Sequence, residues 1–462
     1  MYTTSLFLFH RDLRIADNTG LYRALSESQV VIPAFIFDTR QIQKNSYKGV
    51  HSLGYLLRAV AELQEAITDR DGVCAIGHGL THEVLAEWID EGRIDAVYAN
   101  YDYTPFAQHR DAQIEQMCRQ KGIPFIQTHD ALLAPPGAVL KADGTPYTIY
   151  TPFFRAASRL SVATPVYKKT FHFAPKLLSS GETVASVTKH VGVNMPPSTQ
   201  TLRAEALSVL KQMTHFSAYS QRRDVPADDD GTTHLSVHHK FGTISIRETH
   251  AAVCQSLGVD HALIRELYWR DFFTHIAYHF PRVFGSSFHA QYDLLKWGDD
   301  PALFRAWCEG KTGFPIVDAG MRQLNETGYM HNRVRMIVAS FLTKDLRIDW
   351  RLGEKYFAQK LSDYDPAVNN GSWQWAASTG CDAQPYFRIF NPWTQQKTYD
   401  PDCEYIKRWV PELRQCSVKE IHEYGANHIV VPRYPKPIVD HDKERKKTLD
   451  WFSTITQKNI ST

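Results

Sequence analysis

The chain has no C-x-x-C pair, no G-x-G-x-x-G turn, and no unbroken apolar run of the roughly 20 residues a membrane helix needs. Each absence excludes a class. Seven cysteines (Cys74, Cys118, Cys254, Cys308, Cys381, Cys403 and Cys416), odd in number and scattered, argue against a disulfide framework or a zinc site and for a reducing compartment. Without a spanning segment, the expectation is a soluble, cytoplasmic protein. The opening SLFLF run is too short, and too soon followed by Arg11 and Asp12, to read as a secretory signal. Net charge is also scarce, at +2. It is unevenly placed: residues 1–130 hold 12 Lys+Arg against 17 Asp+Glu, and the remainder 40 against 33. Any nucleic-acid surface is therefore expected in the later part. What is plentiful is aromatic: 12% of 462 residues, with 10 Trp and 22 Tyr. Length and a 43% hydrophobic share describe a globular chain of two or three domains.

Residues 1–130 alternate between two periods. Short β-rich apolar runs at Ser5–His10, Val30–Phe37, Val73–Gly77, Ala96–Tyr101 and Pro124–Thr128 are separated by helical patterns at Gly20–Ser26, Leu53–Thr68, Glu83–Asp90 and Phe106–Lys121. Five such strands predict an open parallel sheet, a Rossmann-like α/β domain. The first strand runs into HRDLRIADN, so a pyrophosphate cradle is not supported there. Residues 131–200 are punctuated by Pro135-Pro136-Gly137, Pro146, Pro152, Pro165, Pro175 and Pro196-Pro197, which reads as a long linker with short helices. From 201 to 462 helical patterns dominate, at 202–215, 244–256, 259–279, 301–308, 317–327, 332–345, 352–361 and 403–413, predicting an all-helical domain. The late HDKERKK run reads as a solvated helix face or tail.

Four clusters in the helical part carry chemistry. Tyr219 and then GTTHLS (Gly231–Ser236) place hydroxyls and free amides at a helix start, which can hold phosphate oxygens or simply cap a helix. In RELYWRDFF, Glu266 shares a helix face with Trp269 and Arg270. A carboxyl beside an indole can bond a polar edge and stack on a flat ring; the same spacing also fits a surface ion pair over a core tryptophan. In MHNRVRM, Asn332, Arg335 and Met336 share a face, while Arg333 points elsewhere, to solvent or phosphate. In NNGSWQW, Asn369 and Trp373 share a face, with Asp363 and Asp365 just before them. Asp363 is placed to pair with Arg335 across a bound cofactor. Aromatic packing of a flat cofactor and a plain aromatic core both fit this last cluster.

In this order, LFLFHRDLRIADN, TPF, GTTHLS, ELYWRDFF, MHNRVRM, IDW and NNGSWQWAASTGCDAQPYFRIFNP make the chain resemble the photolyase/cryptochrome family over nearly its whole length, most like the class I cyclobutane pyrimidine dimer photolyases. The resemblance implies an α/β antenna-binding domain (1–130), a linker (131–200) and a helical FAD- and DNA-binding domain (201–462). It implies light-driven repair of UV-damaged DNA by electron transfer from reduced FADH⁻ to a flipped-out dimer. By resemblance, Tyr219, Thr232, Thr233 and Ser236 contact the FAD phosphates or ribityl chain, Arg335, Asp363 and Asp365 frame its ring, and Asn369 faces its N5. Trp269 and Trp375 stack on the lesion, Glu266 hydrogen-bonds the damaged bases, and Asn332 and Met336 complete the lesion pocket. Trp373, Trp350 and Trp297 form an electron-hopping chain. Arg333, Arg388 and Lys397 meet backbone phosphates.

Asn332 and Met336 stand where a 6-4 photolyase has two histidines, and Cys381, Cys403 and Cys416 lack an iron–sulfur pattern, so neither that reaction nor a metal is expected. The alternative is a cryptochrome-type blue-light photoreceptor, disfavoured by the intact Glu266, Trp269 and Trp375. A second antenna chromophore is open: Phe106 and Ala107 follow NYDY where folate-binding members have Asn-Glu, favouring a deazaflavin or flavin over folate. The resemblance favours a monomer.

Overall fold

The computed structural model of the chain describes all residues except Lys44, 176–177, 179–181, 197–198, 426–429 and 459–462, and the side chains of 456–458. Pro197 of the expected linker lies outside the described residues. The chain gathers into two compact units. The first comprises 1–217 with 234–279, and the second 218–233 with 280–462.

The first unit is built on a five-stranded parallel sheet: β1 (Tyr2–Phe9), β2 (Ser28–Asp38), β3 (Ala75–Gly79), β4 (Ala96–Asn100) and β5 (Phe125–Thr128), in the order β3-β2-β1-β4-β5. The strand period of two explains the sequence directly. Phe7, Phe9, Phe35 and Phe37 pack into one core, while Leu6, Leu8, Ile32, Ala34 and Ile36 pack into a second one. Both faces of β1 and β2 are buried, so their apolar runs are nearly continuous. At the ends of β1 and β4 the turn that replaces a glycine-rich loop is polar. Asp12 accepts from the His10 amide (2.7 Å), Asn18 Nδ2 (3.0 Å) and Asn100 Nδ2 (2.6 Å). The Asn100 side chain also receives the Gly20 amide at 3.0 Å, and a Cβ at Gly20 would collide with it. The same unit contains helices Tyr150–Ala157 and Ala262–His279.

The second unit is helical, and its main core is aromatic: Trp307, Phe314, Phe341, Trp350, Phe357, Trp373 and Tyr405 are buried together. Helices Pro315–Thr327, Asn332–Ser340, Trp350–Lys360 and Pro366–Ala377 surround it. The pattern expected to run to 345 passes into a π-helical turn at Phe341–Asp345. HDKERKK has the expected solvated face, with a buried line beside it. It opens the helix His441–Lys458, whose His441, Glu444, Thr448 and Phe452 are buried in a line at helical spacing while the lysines between them face out. The interleaved charges masked this line in the sequence.

Candidate functional site

Helix Pro366–Ala377 starts with Asp365, whose carboxylate accepts the Ala367 (3.0 Å) and Val368 (3.2 Å) amides, and Pro366 supplies the first turn. One turn in, Asn369 is buried and donates its amide to the Glu354 carbonyl at 3.1 Å, which fixes the opposite, accepting side of the amide. Trp373 sits against helix Trp350–Lys360 because Gly353 has no side chain; a Cβ there would lie inside the indole. Its ring meets Phe357 and Trp307 edge-on at 4.9 and 6.1 Å. Trp350 is fully buried, its indole N–H has no acceptor, and the Arg351 guanidinium lies 4.8 Å from its ring. Trp297, half-buried, meets Trp451 edge-on at 5.0 Å and also leaves its N–H without a partner.

Helix Asn332–Ser340 presents Arg335, which donates to the Met330 carbonyl (2.8 Å) and pairs with Asp363 Oδ2 (3.0 Å). The other Asp363 oxygen is buried with no partner. Asn332 is exposed, with its amide 4.0 Å from the Met336 sulfur. Arg333 is committed: it pairs with Asp224 at 3.0 Å and lies over the Tyr399 ring at 4.4 Å. That pair fastens the stretch 218–233, which carries buried Tyr219 and half-buried Thr232 and Thr233. Trp375 is half-buried, and Arg388 and Lys397 are exposed.

In the first unit, Ser236 opens a short helix and is exposed. Glu266 and Trp269 are half-buried on one helix. The Trp269 ring is stacked on Tyr150 at 3.6 Å and 7°. The Tyr150 hydroxyl is anchored on the Arg265 carbonyl, and burial, then the Glu266 charge, raises its pKa. Arg270 donates to the Ala131 carbonyl. At the antenna motif, Thr104 caps the helix Pro105–Gln120 through the Ala107 amide, and Phe106 carries the Arg40 guanidinium at 5.2 Å.

Sequence reasoning missed three residues. Tyr150, the partner of Trp269, directly precedes the TPF motif. Asn370 and Gln374 sit inside NNGSWQW: both donate to the Val283 carbonyl (3.0 and 3.1 Å), and Gln374 also accepts the Phe288 amide (2.7 Å), clamping the 283–288 loop to the helix. Among the described residues, no group of three or more His, Cys, Asp or Glu could hold a metal ion, and no helix is long and apolar enough to cross a membrane.

The unpartnered Asp363 oxygen, the fixed arginine beside it and the buried amide of Asn369 suit a large planar ligand with polar edges. The comparisons agree. Residues 263–454 match the model for the FAD binding domain of DNA photolyase, and residues 5–169 match the DNA photolyase model. The chain is 38% identical to the deoxyribodipyrimidine photo-lyase of Halobacterium salinarum, covering 97% of this chain and 98% of the relative, and 38% identical to that of Escherichia coli over the same shares. Among solved structures it is similar to an archaeal photolyase from Sulfolobus tokodaii with two FAD molecules (40% identity, TM-score 0.89, covering 98% and 100%). It shares its fold with a Synechocystis cryptochrome (24% identity, TM-score 0.86, covering 97% and 99%).

Proposed function

Because the chain belongs to the DNA photolyase family, we propose that it is a deoxyribodipyrimidine photo-lyase, a flavoprotein that repairs cyclobutane pyrimidine dimers in UV-damaged DNA under light. The observation that carries the reading is the Arg335–Asp363 corner with its open, buried carboxylate oxygen. That oxygen suits the imide N–H of a flavin, so the residues fit FAD. Bound and reduced as FADH⁻, the flavin supplies the light-driven electron.

The chain's own residues do the rest. Arg335, locked by Asp363 and the Met330 carbonyl, is a fixed cation that favours a reduced, anionic ring. Asn369, oriented by Glu354, would offer its carbonyl side to a bound flavin, and Asp365 caps the helix that carries Asn369. Tyr219, Thr232, Thr233 and Ser236 serve the phosphates and ribityl chain. Trp269, kept flat by Tyr150, and Trp375 each have a ring suited to stacking on an extruded lesion, Asn332 and Met336 are suited to contact it, and Glu266 to bond base edges. Trp373, Trp350 and Trp297 relay electrons to an oxidised flavin. Arg388 and Lys397 meet phosphates directly, whereas Arg333 reaches one only by giving up Asp224.

The proposal extends to a monomer acting in the cytoplasm, with an antenna-binding part at 1–130, a linker at 131–200 and a flavin- and DNA-binding part at 201–462. It includes a second chromophore of the deazaflavin or flavin type. The similar Sulfolobus structure with two FAD molecules, and Phe106 and Ala107 standing where folate-binding members have Asn-Glu, both weigh against folate. The Synechocystis likeness is one of fold alone, so signalling without repair has no observation in its favour.

The test is repair of an oligonucleotide bearing one thymine dimer by chemically reduced protein. Thymine absorbance should return in blue light and not in darkness. Glu266→Ala should lower the repair yield several-fold while the flavin spectrum is unchanged. Bound reduced FAD and retained DNA binding with no repair in light would overturn the assignment.

A further inference from the structure

The second unit buries a lysine that the proposed chemistry does not use. Lys344 lies in the π-helical turn Phe341–Asp345 and is 1% exposed. Its ammonium donates to the Ala377 carbonyl (3.1 Å) and the Ser378 hydroxyl (2.9 Å), and lies 3.9 Å from the centre of the Phe452 ring. The side-chain nitrogen thus faces two oxygens and one aromatic ring. Burial pushes its pKa well below the ordinary lysine value. A buried nitrogen is costly unless its hydrogen bonds are met, and here two specific acceptors meet them.

Two of those contacts fall on the end of helix Pro366–Ala377. Ser378 ends that helix in the left-handed region (φ +65°), a conformation a residue with a Cβ rarely takes. The chain then folds back on itself: the Thr379 and Gly380 amides return to the Gln374 carbonyl (3.0 and 3.1 Å), and the Gln384 amide to the Trp375 carbonyl (3.3 Å). Gln384 in turn holds the Arg388 carbonyl at 2.8 Å.

The third contact belongs to helix His441–Lys458. His441 bonds Asp345 at 2.5 Å, Glu444 pairs with Arg347, and the Thr448 hydroxyl donates to the Lys344 carbonyl at 2.5 Å. Phe452, fully buried, presents its ring to Lys344 and also stacks on Tyr386 in the returning loop (5.5 Å, 2°). The helix therefore reaches the 378–388 segment twice, through Lys344 and through Tyr386.

We propose that Lys344, braced by helix His441–Lys458 through Phe452, is a positioning residue that sets the Ser378 turn and the 379–388 loop so that Trp375 and Arg388 engage damaged DNA. This rests on the reading that these two residues meet DNA. It predicts a residue without a DNA contact whose loss weakens binding and leaves the chemistry alone.

The experiment uses the full-length flavoprotein carrying Lys344→Met, which keeps the volume and the contact with the Phe452 ring but removes the donors. Affinity for a duplex with one thymine dimer should fall about tenfold. The repair rate at saturating DNA and the flavin spectrum should be unchanged, and the salt slope of binding should flatten by no more than the single contact that Arg388 makes. Amide hydrogen exchange should rise across 376–388. Unchanged affinity and exchange would overturn the proposal, as would a lower saturated rate with unchanged affinity. If Lys344→Met loses its flavin or does not fold, Phe452→Leu decides by the same measurements and the same outcomes. Arg388→Ala separates the underlying reading: it should flatten the salt slope by about 0.9. An unchanged slope in that variant alone would show that the loop does not meet phosphate, whereas unchanged exchange in Lys344→Met shows that lysine does not set the loop.

Discussion

Asp130 in the first unit and Asp363 in the second are both carboxylates set beside arginine, and they differ in how completely they are used. Asp130 is fully occupied. Its Oδ2 pairs with Arg14 at 2.7 Å, and its Oδ1 takes Arg247 at 2.8 Å and the Thr19 amide and hydroxyl at 3.0 and 2.9 Å. Asp363 gives one oxygen to Arg335 and leaves the other buried and without a donor. Both oxygens of Asp130 are spent on the fold, whereas the second oxygen of Asp363, set beside a fixed arginine, has room to take a ligand's donor. The strand ends of the first unit are thus read as structure and the arginine–aspartate corner of the second as a binding site.

The largest effect should come from removing the Asp130 anion. Asp130→Asn leaves the Arg14 and Arg247 charges without their shared anion, and Arg14 is almost wholly buried. A loss of about 3–5 kcal/mol in denaturant unfolding is expected. The pH dependence has a definite sign. Burial alone would raise the Asp130 pKa, but Arg14 and Arg247 outweigh it and hold the carboxyl below its ordinary range. Its stabilisation is therefore present above about pH 4 and is lost as pH falls toward the depressed value, a loss the Asp130→Asn variant should not show.

Asp363→Asn should act on the ligand more than on the fold. It weakens the hold on Arg335 and replaces an anionic acceptor by a neutral amide. FAD affinity should fall roughly tenfold to a hundredfold, the worth of a hydrogen bond to a charged group at about 1.5–3 kcal/mol. Far-UV circular dichroism of the flavin-free protein should be unchanged. An Asp363→Asn variant that keeps its flavin as tightly as wild type would remove the contrast with Asp130.

The contrast also marks what the sequence made legible. Period-two runs gave away the sheet, because Phe7, Phe9, Phe35 and Phe37 must share one side of it. Helix spacing correctly put Asn332 beside Met336. Contacts across long separations had no such signal. Arg333 read as a free cation until Asp224, 109 residues away, was found on it. The Tyr150–Trp269 stack joins two helices that no local period relates. Lys344 looked like one more polar residue in a helical run, and only the fold shows it buried. Local period reports which face a residue takes, and pairing between elements depends on packing that local period does not encode.

The smallest change, in its effect on the fold, sharpens the comparison within the aromatic core itself. Trp350 and Trp373 are buried, whereas Trp297 is the half-buried ring of the three. If these rings only pack, replacing any of them should cost stability in proportion to burial and leave electron transfer alone. If they relay electrons, the half-exposed ring is where an external reductant is met, and its loss should be felt there. Trp297→Phe keeps an aromatic ring against Trp451 and Leu295, and its own N–H has no partner to lose, so the fold should be nearly unaffected. Photoreduction of oxidised FAD should slow roughly tenfold or more, equivalent to about 1.4 kcal/mol on the barrier. Repair by protein already reduced should stay within about twofold of wild type, under about 0.5 kcal/mol on the same scale. Flash photolysis and single-turnover repair on one preparation measure both. Equal slowing of the two would mean that the ring supports the flavin's surroundings and carries no electron.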